Sequence, residues 1–178
     1  MEPQIRLKRE LVYKGHVIDF YCDTIQTETG HIAYFDYIGH KGAAAVVAVA
    51  DDGRLLMVRQ YRNALDRFTL ELPAGGRNTA DESGMDCAAR ELEEETGYRA
   101  EKLEFLMAVN TTVAFCNEKI DIFVATNLKP SRQNLDEDEF VEVAAYTVDE
   151  LVGMIKNGTI TDSKTISGIL LYKEKYCL

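Results

Sequence analysis

Three glutamates near the middle of the chain have the type and spacing of a metal site. Glu91, Glu94 and Glu95 stand at positions i, i+3 and i+4, which share one face of a helix. Like charges at this spacing repel by roughly 0.2–0.5 kcal/mol per pair, and the helix dipole disfavours negative charge in the last turn. Because carboxylate oxygens suit hard cations such as Mg²⁺ and Mn²⁺, the cluster predicts a metal site. The alternative is a solvent-exposed acidic face, the commoner fate of a charge run.

One helix is expected to carry these carboxylates. Thr79 followed by Glu82 has the pattern of a capping box, which predicts that the helix begins at Thr79 and covers residues 79–96. Gly97 supplies the left-handed residue that commonly ends a helix. A narrow apolar stripe is expected to face the core, formed by Ala88, Ala89 and Leu92.

The rest of the chain mixes strands and helices without regular βαβ alternation. Strands are expected within residues 8–38, at 43–50 and 54–61 as a hairpin around Asp52-Gly53, and near 103–110, 119–126 and 139–147. Helices are expected at 148–156, where Thr147 and Glu150 form a capping box, and at 163–176. This order of elements indicates an α+β layered fold.

The composition limits the classes of function. The 178 residues include 30 acidic and 20 basic side chains, a net charge of −10, which argues against nucleic acid as the main partner. A phosphorylated substrate is not excluded, because a divalent metal bridges carboxylates to phosphates. The longest apolar run, residues 43–50, is too short to span a bilayer. The charged start of the chain and four cysteines without paired spacing predict a reduced, cytoplasmic protein without zinc, whose cysteines mostly pack as small apolar residues.

A long, gapped pattern of fixed residues lies between residues 76 and 98. Gly76 is followed after five residues by Glu82, and after seven more by the run Arg90-Glu91-Leu92-x-Glu94-Glu95-x-Gly97-Tyr98. This pattern matches every fixed position of the Nudix box, so the chain resembles the Nudix hydrolase superfamily. Five further segments resemble its ADP-ribose and nucleoside-diphosphate-sugar pyrophosphatase branch: residues 58–62, 71–75, 115–120, 136–140 and 158–165.

The resemblance implies a Nudix fold, a mixed-sheet α/β/α sandwich in which the box forms a loop, a helix and a second loop. Residues 1–42 would form an N-terminal extension of antiparallel strands, and residues 43–178 the hydrolase domain. In this branch the N-terminal strands often exchange between protomers. A homodimer is therefore expected.

The implied activity is divalent-metal-dependent hydrolysis of the pyrophosphate of ADP-ribose or a related nucleoside-diphosphate sugar, giving a nucleoside monophosphate and a sugar phosphate. Metal ions suit this reaction because they activate water and neutralise phosphate charge. Mg²⁺ is the expected cofactor, with Mn²⁺ as the alternative, and Glu71 is expected to position the backbone before the box. The ligands implied are Glu91, Glu95, Glu94 and the backbone carbonyl of Ala74.

Two further catalytic roles follow from the resemblance. Arg90 is expected to orient a box glutamate together with Glu82, although a separation of eight residues gives little reason for a direct pair. A water-activating base is expected in the acidic segment 136–139, where Glu139 is favoured over Glu137. A solvated acidic turn is the alternative for this segment.

Six residues outside the box are expected to contact the substrate: Arg59, Gln60, Arg62, Phe35, Asp36 and Glu118. A guanidinium binds phosphate with two parallel hydrogen bonds, but a surface ion pair is the alternative for Arg59. Phe35-Asp36 stand where ADP-ribose enzymes usually carry Arg-Glu, and Val113-Ala114 replace Pro-Gly. GDP-mannose, another sugar nucleotide or a dinucleotide therefore remain alternative substrates, and a catalytically silent nucleotide-binding domain remains an alternative function.

Overall fold

The computed structural model describes residues 4–16, 18–135 and 140–177. The chain forms two compact units, of which the first comprises Met1–Lys41 and Asn110–Glu118 and the second Gly42–Val109 and Lys119–Leu178. No helix within the described ranges is long and apolar enough to cross a membrane. Exchange of the N-terminal strands between protomers stays a prediction.

The first unit is built on a three-stranded antiparallel sheet. Its strands are β1 (Ile5–Lys14), β2 (Asp19–Gln26) and β3 (Ile32–Gly39), and they pair in the order β1-β2-β3. The strands expected within residues 8–38 are thereby confirmed. Arg9 donates two hydrogen bonds of 2.6 Å to the buried carboxylate of Asp23, and its guanidinium lies 3.4 Å from the centre of the Tyr37 ring.

The second unit is organised around a mixed sheet of seven strands. These are β4 (Ala43–Val49), β5 (Leu55–Arg62), β6 (Arg67–Glu71), β7 (Ala74–Gly76), β8 (Tyr98–Asn110), β9 (Lys119–Pro130) and β10 (Val141–Tyr146). The main path runs β10-β5-β4-β9-β8, with β6 paired to β5 and β7 to β4. β4 is parallel to β9 and antiparallel to β5, so the expected hairpin around Gly53 is confirmed.

Helices cover both faces of this sheet, which confirms the predicted layered fold. Along β4, Ala44, Val46 and Ala48 pack with Cys87, Ala88 and Leu92 of helix α1 (Gly84–Thr96). The alternate residues Ala43, Ala45 and Val47 pack with α2 (Val148–Lys156) and α3 (Ser163–Tyr176). A strand buried on both faces must be apolar throughout, and this explains the uninterrupted Ala and Val run.

The expected start of the first helix at Thr79 is wrong. Helix α1 begins at Gly84, and Ser83 is its cap because the Ser83 hydroxyl accepts the Asp86 N–H at 3.0 Å. Glu82 does not close a capping box, since one of its oxygens accepts the Asn78 N–H at 2.6 Å and folds residues 77–83 into a loop. The end of the helix at Gly97, with φ of 73°, is confirmed.

The residues of α1 that face the core also differ from those expected. Ala89 is exposed, which contradicts the expected stripe, and Cys87 takes its place beside Ala88 and Leu92. Burial raises the pKa of the Cys87 thiol to about 11. All four cysteines are free thiols, but Cys177 is exposed, so the expectation of packed cysteines is wrong for that residue. The capping box that begins α2 is confirmed in full.

Candidate active site

The short strand β7 forms one side of the site. β7 pairs antiparallel with β4, so that Ala74 lies opposite Ala45 and Gly75 opposite Ala44. The side chain of Ala44 packs towards α1 on the same side of the sheet. The sheet therefore brings the backbone of β7 directly against the helix that carries the glutamates.

Two of the three glutamates are buried against this backbone. Glu95 is only 3% exposed, and its carboxylate accepts the N–H of Ala74 at 2.8 Å. Glu91 is 9% exposed, and a Cβ built on Gly75 would lie 2.2 Å from its carboxylate carbon. A solvent-exposed acidic face is therefore the wrong interpretation for Glu91 and Glu95. It applies in part to Glu94, whose side chain is 34% exposed.

Arg90 links Glu91 and Glu94 to the residues that precede the helix. One terminal nitrogen donates to Oε1 of Glu91 at 2.6 Å and to Oε2 of Glu94 at 2.8 Å. The other terminal nitrogen donates to the carbonyl of Gly76 at 2.8 Å, and Nε donates to Glu82 at 3.1 Å. Burial alone would lower the pKa of Arg90, but the carboxylates of Glu82, Glu91 and Glu94 outweigh it and raise that pKa. The guanidinium is therefore a fixed cation inside the cluster.

The direct contact between Arg90 and Glu82 was not expected from their spacing. The sequence placed both residues on one helix, about two turns apart. Because Glu82 precedes the helix, the loop folds back and presents its carboxylate to the guanidinium. The hydrogen bond from Arg90 and the N–H of Asn78 together hold the pKa of Glu82 below its usual value. The loop and the helix are thus locked to one another at this ion pair.

The donor set fits a divalent cation by its chemistry. Carboxylate oxygens of Glu91 and Glu95 lie at the Ala74–Gly75 backbone, and Arg90 links Glu94 to Glu91. These carboxylates and the carbonyl of Ala74 are hard oxygen donors. The missing Cβ of Gly75 leaves the space that the carboxylate of Glu91 fills. Among the described residues, no three Asp, Glu, His or Cys side chains stand in ready-made metal geometry. Arg90 contacts one oxygen each of Glu91 and Glu94 and compensates their charge.

Comparison with known proteins now identifies the family. The NUDIX domain matches residues 39–168 of this chain. The chain belongs to the NUDIX family. It is 36% identical over 174 residues to the ADP-ribose pyrophosphatase of Bacillus subtilis (strain 168), which covers 97% of this chain and 94% of that protein. It is also 36% identical over 165 residues to the methanol dehydrogenase activator of Bacillus methanolicus, covering 92% of this chain and 89% of that protein.

A solved structure, the crystal structure of ADP compounds hydrolase, superposes on this chain with a TM-score of 0.86. It covers 98% of this chain and 94% of its own. The two sequences are 21% identical, so this likeness bears on the fold alone. It confirms the predicted Nudix architecture.

A buried charge cluster lies directly before the Nudix box. Glu71 is 3% exposed and accepts two hydrogen bonds from Arg62, at 2.7 and 2.6 Å, and one from Lys164 at 2.5 Å. Burial alone would raise the pKa of Glu71, but Arg62 and Lys164 outweigh burial and lower it to about 2. The guanidinium of Arg62 is therefore engaged with Glu71, and a role of Arg62 in substrate binding stays a prediction.

Arg59 takes part in the cross-strand ion pair that was its alternative role. It lies opposite Glu142 in the pairing of β5 with β10, and donates to that carboxylate at 2.9 Å. Its guanidinium also covers the ring of Phe68 at 4.1 Å. The backbone carbonyl of Gln60, next along β5, accepts the Thr69 hydroxyl at 3.4 Å. Substrate contacts by Arg59 and Gln60 stay predictions.

The remaining predicted substrate residues belong to the first unit. Phe35 and Asp36 are both exposed and, as neighbours on β3, point to opposite faces of its sheet. Glu118 accepts the hydroxyl of Thr111 at 2.7 Å, and His40 approaches it at 3.5 Å. Their roles stay predictions. The candidate bases Glu137 and Glu139 lie outside the described residues.

The sequence prediction missed an ion pair that anchors the loop of the box. Arg77 donates at 2.6 Å to Asp121, which is buried on β9. A Cβ on Gly84, the first residue of α1, would lie 2.6 Å from the same carboxylate. A lone aspartate within the apolar run of β9 was the available signal, because a buried carboxylate requires a partner.

A second missed feature closes the end of α1. The Asn134 N–H donates to the carbonyl of Glu94 at 3.0 Å, and the side-chain amide of Gln133 donates to that of Glu95 at 2.6 Å. The Ser131 N–H donates to the carbonyl of Gly97 at 2.7 Å. These carbonyls have no partner within a helix. Residues 131–134 thus cap the turn that carries Glu94 and Glu95, and no local sequence pattern predicts such a distant cap.

Proposed function

We propose that this Nudix hydrolase cleaves the pyrophosphate of ADP-ribose or a related nucleoside-diphosphate sugar, with Mg²⁺ at the box glutamates. The products are a nucleoside monophosphate and a sugar phosphate. The observation that carries the proposal is the complete box, in which two buried carboxylates of α1 meet the backbone of Ala74 and Gly75 beside Arg90. Similarity along nearly the whole chain to an ADP-ribose pyrophosphatase supports the substrate class.

Each residue of the site has a role that follows from its contacts. A bound divalent cation would supply an activated water and neutralise charge on the pyrophosphate. Glu91, Glu94, Glu95 and the carbonyl of Ala74 are the proposed donors. Arg90 fixes the direction of Glu91 and Glu94 and is itself held by the Gly76 carbonyl. Burial of Glu91 and Glu95 strengthens their attraction to a cation, because water screens it less.

The proposed water-activating base is Glu139, with Glu137 as the second choice. Both belong to the acidic segment 136–139, and a carboxylate can act as a general base. Glu139→Gln and Glu137→Gln should be compared in the same assay. The base should lower kcat by about 100-fold or more, the usual contribution of general base catalysis, whereas the other change should leave kcat within about threefold of wild type.

The decisive experiment is turnover of a substrate panel with Mg²⁺ and Mn²⁺, with products identified by mass. ADP-ribose, GDP-mannose, another sugar nucleotide and a dinucleotide form the panel. We expect metal-dependent release of a nucleoside monophosphate, with ADP-ribose the best substrate. A preference for GDP-mannose would keep the chemistry and correct the substrate. Absence of release from every member would contradict a hydrolytic function.

A regulatory role is the second candidate. It is supported by a relative of equal identity whose name is methanol dehydrogenase activator. A chain that acts only by binding would tolerate loss of Glu91 or Glu95, yet both are present and built into the site. The same panel separates the candidates, because a purely binding domain would retain nucleotide without releasing a monophosphate.

We further propose that the protein is a cytoplasmic homodimer that uses the sheet of the first unit. Strand β1 is exposed along its whole length apart from Arg9, and its apolar side chains stand in solvent in a single copy of the chain: Ile5, Leu7, Leu11, Val12 and Tyr13. Exposed apolar surface of this kind marks protein interfaces. Light scattering after gel filtration should give twice the mass of one chain, and Leu11→Lys should shift the species towards a monomer.

A further inference from the structure

The N-terminal turn of α3 is hydrogen-bonded to the backbone segment that precedes the Nudix box. Thr165 is fully buried, and its hydroxyl oxygen accepts the N–H of Leu72 at 3.0 Å. The same hydroxyl donates to Asp162 at 2.5 Å, so both its hydrogen-bonding functions are used. Because Leu72 itself is fully buried, no water can replace Thr165 at this N–H.

Lys164, the residue before Thr165 in α3, contacts Glu71, the residue before Leu72. Lys164 is 7% exposed, and its ammonium group lies 2.5 Å from Glu71 and 3.0 Å from Asp162. Two consecutive residues of α3 thus hold two consecutive residues before the box, one through its side chain and one through its backbone. A third contact follows one turn later, where a Cβ on Gly168 would come within 2.7 Å of the Leu72 side chain.

The residues that follow Leu72 are also held by hydrogen bonds, up to the proposed metal site. After Leu72, the carbonyl of Pro73 accepts the Val46 N–H at 2.9 Å. The next residue, Ala74, donates its N–H to Glu95, and its carbonyl is a proposed metal ligand. Because the ring of Pro73 fixes one of the few torsions between Leu72 and Ala74, part of a shift at Leu72 is passed on to Ala74.

We propose that Thr165 and Lys164 are positioning residues for the metal site. Through the Leu72 N–H and the Glu71 carboxylate they set the distance of Ala74 from Glu95. The proposal rests on the proposed function, because the site that it concerns is the proposed metal site. Neither residue belongs to the Nudix box, and neither is expected to touch metal or substrate.

The test compares Thr165→Val, which removes the hydroxyl at constant shape, with Thr165→Ser, which keeps it. Mn²⁺ affinity of the full chain is measured by electron paramagnetic resonance of the free ion, and kcat and KM on ADP-ribose are measured separately. Removing a group that supports metal ligands typically costs 10–100-fold in affinity or activity. Because Leu72 lies two residues before the proposed ligand Ala74, we expect the lower end of this range for Thr165→Val: about tenfold weaker Mn²⁺ binding and a similar loss of kcat, with KM unchanged. Thr165→Ser should recover both the Mn²⁺ affinity and kcat.

Ile169→Val is the matched control for stability. Ile169 is fully buried on the same helix and packs in the core below the sheet. The change should lower the melting temperature and leave Mn²⁺ affinity as in wild type. If Thr165→Val does not fold, Asp162→Asn provides a milder change. Asn still caps the helix but is a weaker acceptor for the Thr165 hydroxyl. For this variant we expect about threefold weaker Mn²⁺ binding.

Wild-type Mn²⁺ affinity in Thr165→Val, or in Asp162→Asn where that variant is used, would overturn the positioning role. Equal losses of affinity in Thr165→Val and Ile169→Val would also overturn it, since stability alone would then explain both. Failure of the proposed function has a different signature. In that case the wild-type chain itself would bind no Mn²⁺ and release no monophosphate.

Discussion

Gly75→Ala is the most direct test of where the carboxylate of Glu91 lies. A Cβ at this position would stand 2.2 Å from both the carboxylate carbon and Oε1 of Glu91, and 2.3 Å from Oε2. Gly75 has no positive φ, so its backbone accepts alanine. The atoms in the way form the end of a flexible side chain. The fold should therefore survive while the glutamate is displaced.

The expected magnitude follows from the size of this overlap. Atoms in good contact lie about 3.5 Å apart, so the carboxylate must move by more than about 1 Å. Misplacement by about 1 Å costs roughly 100-fold in rate when a reacting group is concerned. We therefore expect kcat on the best substrate to fall about 100-fold, with weaker Mn²⁺ binding. The free energy of unfolding should change by no more than about 1 kcal/mol, because replacing glycine restricts the unfolded chain and offsets part of the loss.

The adjacent glycine supplies the control. A Cβ on Gly76 would meet no atom within 4 Å, and Gly76 belongs to the same strand. Gly76→Ala should keep kcat within about twofold of wild type, since exposed changes without new contacts have small effects. Steady-state kinetics and Mn²⁺ titration of both variants provide the comparison. Equal losses at the two positions, or full activity of Gly75→Ala, would refute the placement of Glu91 at this backbone. In a Glu91→Ala background, Gly75→Ala should cost nothing further.

Three other predictions address different parts of the site. Glu95→Gln keeps an oxygen for the Ala74 N–H, so thermal unfolding should change little while kcat falls by orders of magnitude; near-normal turnover would contradict the metal-site assignment. The pKa of Glu71 is lowered from 4.5 to about 2, so its contribution to the free energy of unfolding is present above pH 4.5 and is lost as the pH falls towards 2. Urea unfolding measured across this pH range should show wild type losing up to about 3 kcal/mol more stability than Glu71→Gln. Parallel curves for the two proteins would contradict the buried charge cluster. Arg59→Gln should raise KM about tenfold if its guanidinium binds a substrate phosphate, whereas Glu142→Gln should leave KM unchanged; an unchanged KM in both would leave Arg59 only its cross-strand ion pair.

The elements that follow local rules were predictable from sequence. Helix α2 has a full capping box at Thr147, and the hairpin at Gly53 has its turn dipeptide between apolar runs, so local chemistry determines both. The start of α1 was not predictable in the same way. The expected cap was Thr79, and the observed cap, Ser83, lies four residues later, after Glu82. Glu82 is engaged by Arg90 and by the Asn78 N–H, and this tertiary demand outweighs the local capping pattern.

The chemistry of the site was predictable only as a set of residues. The spacing of Glu91, Glu94 and Glu95 gave the right helix face, but it could not give their burial. Burial depends on β7, which comes earlier in the chain and which its pairing with β4 places against α1. Lys164 lies 93 residues from Glu71, and no period or local motif connects them. Such contacts are properties of the folded sheet rather than of any window of sequence.

The three glutamates in the last two turns of α1 break two local rules, and residues off their shared face offset each of them. Repulsion between Glu91 and Glu94 is relieved because both carboxylates bind one nitrogen of Arg90, which is held in turn by Glu82. The carbonyls at the negative end of the dipole receive donors from residues 131–134. Both repairs stabilise the chain before any metal is bound. A divalent cation would therefore share Glu91 and Glu94 with Arg90, which contacts one oxygen of each, whereas the cap binds only the carbonyls. Weakening the guanidinium contact should thus alter metal affinity directly, whereas weakening the cap should act first on the stability of the last turn.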